Sequence, residues 1–173
     1  MDELKELYLA LIRMGHIFSG ILWIGILYYF NFGQALKFPA MEASARSNVV
    51  TVLVPHLLNM FRWSALATVV FGLLYIGSIG SMVDGYYESN QFRTIVIGGT
   101  IGIVMAANVW FIIWPLQQKV IAGTRAAAEG GSPPADQPKW ARTALLASRT
   151  NTMLSIPMLF FMVAARHLPS MWS

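Results

Sequence analysis

Apolar residues gather into four runs, over positions 17–36, 61–80, 94–116 and 145–165. Each reaches the roughly 20 residues that a helix needs to cross the hydrocarbon of a bilayer. Ahead of the first run, Leu4, Leu7, Tyr8, Leu11 and Ile12 keep helical spacing among charged neighbours. An amphipathic turn or two therefore extends the first span outward. The joints are polar or rich in helix breakers: 37–48 with Pro39, 81–93 with the Asp84-Gly85 turn, and 123–142 with Gly-Gly-Ser-Pro-Pro. Positions 49–59 are apolar and β-branched but interrupted by Pro55, which predicts a short interfacial piece leading into the second helix. No sequence repeat at a fixed period is present. The pattern predicts an all-α fold, an integral-membrane four-helix bundle forming a single domain over 1–173.

Composition supports this. Hydrophobic residues make up 56% of the chain and charged ones only 12%, and ten Phe, six Trp, six Tyr and ten Met exceed what so small a globule can hide. A water-soluble fold is excluded, and the lipid bilayer is the expected partner. The net charge of +4 records orientation rather than a nucleic-acid partner. Lys37, Arg46, Lys119, Arg125, Lys139, Arg142 and Arg149 lie toward one membrane side and outnumber Lys5, Arg13, Arg93 and Arg166 on the other. That bias predicts both termini on the non-cytoplasmic side. The acidic N-terminal stretch does not read as a cleavable signal, so the first span is expected to be retained.

Several chemistries drop out. With no cysteine there is no disulfide, no iron–sulfur cluster and no covalent c-type haem attachment within the chain. No Asp or Glu falls inside a span, which argues against a paired-carboxylate site, a proton pump or a cation-coupled transporter. Phosphate loops, GxSxG turns and HExxH helices are absent.

The remaining candidates suit iron. His16 stands where the first helix enters the hydrocarbon, on a stripe that continues through Gly20, Trp23 and Leu27. Gly20 removes bulk one turn away, as a flat porphyrin would require. His167 follows the fourth span, and because the first and fourth helices run in opposite directions the two histidines are expected at one membrane face. His56 belongs to the opposite face. Arg13 and Arg166 would suit haem propionates. Met105, Met158 and Met162 lie at membrane depth as further iron-compatible side chains. Asn108 and Asn151 must face the bundle, where they either bind a substrate or tie helices together. Each residue also has a packing alternative: a hydrogen-bonded interfacial histidine, a snorkelling arginine, a core methionine. Gly99, Gly102 and Ala106 read as a close helix contact, and Pro115 and Pro157 as kinks.

Residues 15–25 (GHIFSGILWIG), Phe61-Arg62-Trp63-Ser64, 107–117 (ANVWFIIWPLQ) and 149–162 (RTNTMLSIPMLFFM) resemble the membrane domain of the bacterial membrane-bound urate oxidase family. The resemblance implies a helical membrane domain that precedes a cytochrome c domain in an enzyme oxidising urate and passing electrons to the respiratory chain. It aligns His16 with the histidine of the first-helix motif, and His167 with the one just before a terminal proline, here Pro169. A more distant likeness is to the four-helix, haem-binding membrane protoporphyrinogen oxidases. Together these imply a protein of the bacterial cytoplasmic membrane that holds haem b between His16 and His167. It would relay electrons to or from a c-type cytochrome or respiratory complex, as a homo- or hetero-oligomer. Two alternatives stand beside it: an oxidase of urate or a porphyrinogen, with Asn108, Asn151 and Arg149 as polar contacts, and a cofactor-free accessory subunit.

Overall fold

The computed structural model describes residues 3–168, and Pro169 of the last motif lies outside them. Among the described residues there is no strand. Four long helices account for nearly everything: α1 Glu3–Ala40, α2 Ala43–Met82, α3 Asn90–Ala128 and α4 Gln137–His167. At 1.5 Å per residue the first three are each close to 60 Å long, against a hydrocarbon thickness of about 30 Å. The apolar runs are thus inner stretches of longer rods.

Helices α1, α2 and α3 are long and apolar enough to cross a membrane. Helix α4 is long enough at 31 residues, but Arg149 and Asn151 interrupt its apolar stretch. Large side chains point outward all round, including Phe111 at 79% exposure, Phe18 at 72% and Ile156 at 68%. Surfaces of that kind are covered by lipid rather than water.

The second helix begins earlier than its sequence suggests. Pro55 does not interrupt it, because the turn Val49–Leu53 is a π-helix whose wider hydrogen bonding, Val54 N–H to the Val49 carbonyl, carries the chain into the proline. The same device recurs at Val109–Ile113 just before Pro115, and a third wide turn spans Tyr29–Gln34. A proline removes one backbone donor and crowds the carbonyl four residues back, and a wide turn relieves both demands. Pro157 lies inside α4.

The rods pair as α1 with α2 and α3 with α4. Trp23, Leu27, Leu58, Phe61, Met105 and Val109 fill the shared core. Glycines set the closest approaches. A Cβ on Gly98 would meet the Met158 carbonyl oxygen of α4 at 3.2 Å and Phe161 Cβ at 3.1 Å, whereas one on Gly99 would meet nothing within 4 Å. The small-residue contact therefore runs through Gly98, Gly102 and Ala106, and Gly99 is not part of it. Between α2 and α3, Gly85 takes φ +70°, and Ser89 Oγ accepts the Phe92 N–H to cap α3.

Gly98→Leu is expected to lower the thermal midpoint of the detergent-solubilised protein, at a cost of about 1–3 kcal/mol, while Gly99→Leu leaves it nearly unchanged. Equal losses in the two variants would refute the close contact.

Candidate functional site

His16 faces α2. Its Nδ1 lies 2.8 Å from the Thr68 carbonyl oxygen. A carbonyl only accepts, so Nδ1 carries the proton and Nε2 of the neutral ring keeps its lone pair. The ring rests on Gly72, where a Cβ would come within 3.0 Å of Nδ1. Beside it, a Cβ on Gly15 would press on Phe71. One glycine on α2 thus seats the half-buried imidazole, while Gly15 on α1 makes room for Phe71. Gly20 also faces α2, with Thr68 Cγ2 at 3.7 Å from where its Cβ would stand. Two turns along the same stripe, buried Trp23 leaves its Nε1 without an acceptor.

The other histidines are exposed. His167 ends α4. The bonds Tyr28 Oη to Ser155 Oγ (2.9 Å) and Asn31 Nδ2 to Ser148 Oγ (2.8 Å) register α1 against α4. His16 and His167 both lie on the same side of these two bonds along α1 and α4, toward one end of the bundle. No hydrogen bond joins them among the described residues. Arg13, one turn before His16, holds its guanidinium 5.2 Å from the centre of the Tyr75 ring, and Arg166 is exposed. Near Arg13, in the turn after α2, burial raises the pKa of the Tyr86 hydroxyl; Tyr75 and Tyr87 add to the rise and Arg13 opposes it.

The two asparagines come together. Asn108 Nδ2 donates to Asn151 Oδ1 at 2.8 Å and to the Ala147 carbonyl at 2.9 Å, and Asn151 Nδ2 donates to the Met105 carbonyl at 3.0 Å. Asn151 is fully buried and uses both ends of its amide. Met105, also fully buried, joins this network by its backbone while its side chain packs in the core. A mostly apolar groove of about 560 Å³ runs between α3 and α4 over Asn108, Phe111, Ala147, Thr150 and Leu154.

A further cluster joins two of the sequence motifs across α2 and α3. Trp110 Nε1 donates to the Arg62 carbonyl at 3.1 Å. The Arg62 guanidinium lies 3.8 Å from the centre of the Trp114 ring, 5.1 Å from that of Trp110 and 5.2 Å from that of Trp63.

A sequence model of the urate oxidase N-terminal family matches residues 37–173. The chain belongs to this family. No curated protein and no solved structure matches it. Within this urate oxidase N-terminal chain the match takes in α2, α3 and α4. It therefore includes Arg62 with its tryptophans, the asparagine pair and His167. Residues 1–36, which hold the His16 motif, lie outside it.

Reading the sequence alone singled out both asparagines but neither Arg62 as a centre nor the Tyr28, Asn31, Ser148 and Ser155 links. Ser148, Asn151 and Ser155 recur at helical spacing, a signal for one polar face of α4. Arg62 gave no such signal, since two of its three ring partners, Trp110 and Trp114, lie on another helix.

A double-mutant cycle with Asn108→Leu and Asn151→Leu is expected to show a coupling of about 0.6–1.7 kcal/mol, measured by unfolding in mixed detergent micelles. Additive effects would mean that the two amides stabilise α3 and α4 independently.

Proposed function

We propose that this chain is a membrane-embedded b-type haem protein of the urate oxidase type, relaying electrons to or from a c-type cytochrome or a respiratory complex. It would lie in the bacterial cytoplasmic membrane with both termini outside, as the Lys and Arg distribution favours. One observation carries the reading. His16 commits Nδ1–H to a backbone carbonyl, the outer bond that orients metal-ligating imidazoles and raises their basicity.

The residues present fit the group. His16 Nε2 is free to coordinate iron. His167, toward the same end of the bundle, would be the second ligand. Arg13 and Arg166 would pair with propionates. The unpaired Trp23 N–H on the His16 stripe adds a donor facing the interior. When bound, haem supplies a one-electron couple that the side chains of this chain cannot supply alone. The protein's own part is to hold the ring. Thr68 fixes its tautomer, Gly72 admits it between helices, and the apolar walls of α1 and α2 limit water around it.

A second reading is oxidation of a planar heterocycle or porphyrinogen at the α3–α4 groove. Asn108 favours it, because both its recorded bonds are donated and its carbonyl oxygen is left for a ligand N–H.

The purified protein is expected to show a Soret band and a reduced α band that His16→Ala abolishes and His56→Ala leaves intact. His167→Ala should convert a six-coordinate spectrum to a five-coordinate one. A chain without these bands in every preparation, or bands indifferent to His16, would end the haem reading. Turnover of urate or protoporphyrinogen, lost in Asn108→Leu, would put the second reading in its place.

A further inference from the structure

Arg62 is a half-buried cation with no carboxylate in ion-pair contact among the described residues. Its Nε is shut off from the surface and has no hydrogen-bond partner. No Asp or Glu lies within any apolar run, so the sequence places no carboxylate beside it in the bundle. Three tryptophan rings surround the guanidinium. Ring faces stabilise its charge but do not accept along the N–H directions, which lie in the guanidinium plane. That edge calls for oxygen acceptors, and a planar fork of N–H groups matches the paired oxygens of a phosphate.

Position indicates where the phosphate comes from. Arg62 opens the second apolar run, midway along α2, against Trp114 near the close of the third. A short way further along α3, Lys119 places its ammonium 5.3 Å from the centre of the Trp140 ring at the start of α4. Lys139 and Arg142 flank that ring in sequence. Aromatic rings interleaved with cations mark the level of lipid headgroups. Trp63 is half exposed on the outer face, so the cage opens toward lipid. We propose that Arg62, walled by Trp63, Trp110 and Trp114, binds the phosphodiester of an anionic phospholipid at this end of the apolar runs.

The cage supplies its own reporter. The full chain, carrying Trp140→Phe, is placed in vesicles containing brominated phosphatidylglycerol or brominated phosphatidylcholine, and quenching of tryptophan emission is compared. A preference of about fivefold for the anionic lipid is expected, unchanged by Lys119→Gln and lost in Arg62→Gln. If Arg62→Gln does not insert, Arg62→Lys decides, because a compact ammonium keeps the charge but not the fork and should lower the preference. Inorganic phosphate added to phosphatidylcholine vesicles should leave the emission unchanged. An Arg62-dependent response to it without lipid preference would overturn the lipid in favour of a soluble oxyanion. Equal quenching by the two lipids, or a preference that survives both Arg62 substitutions, would overturn the site itself.

Discussion

Inside hydrocarbon a polar group has no water to fall back on, and this constraint organises the bundle. Hydroxyls such as those of Ser64, Thr68 and Thr152 turn back onto carbonyls of their own helix, and a smaller set of polar side chains reaches across to other helices. Asn108 with Asn151 joins α3 to α4, Tyr28 with Ser155 and Asn31 with Ser148 join α1 to α4, and Trp110 with the Arg62 carbonyl joins α3 to α2. His16 with the Thr68 carbonyl joins α1 to α2. Each such bond is modest, because helices apart in the bilayer also find partners. Their value is geometric: each is made in one register, and together they close a ring of four rods whose apolar packing alone would permit sliding.

Shape comes from a second constraint, the proline-bearing turns. Two wide turns precede Pro55 and Pro115, and a third lies at Tyr29–Gln34. Asn31 lies within the third, and Asn108 and Trp110 flank or enter the turn before Pro115. A wide turn adds a residue to the helical circuit and re-aims the side chains after it. The polar links are thus concentrated where the helices depart from regular winding.

The apolar runs made the helices legible, and the high cost of a lone amide in hydrocarbon correctly turned Asn108 and Asn151 inward. That argument could not pair them, since pairing depends on how α3 registers with α4. Positions 49–59 misled because a proline usually ends a helix, and the π-turn that rescues it has no composition of its own. Gly99 reads as part of the contact from the sequence, whereas the face in contact is decided by the neighbour. The partner of His16 is a backbone carbonyl, which every residue owns, so no motif could disclose it. Arg62 was visible beside Trp63 in a family-like motif, but its other two tryptophans, Trp110 and Trp114, come from a distant segment on α3.

The seating of His16 has a mechanical consequence. Its ring lies in a notch cut by glycine on one rod and is latched to the main chain of that rod. A shift of either rod by a single residue step, about 1.5 Å, would carry the latch off its oxygen and drive the ring against the next side chain. The imidazole is therefore the index pin of the first helical pair.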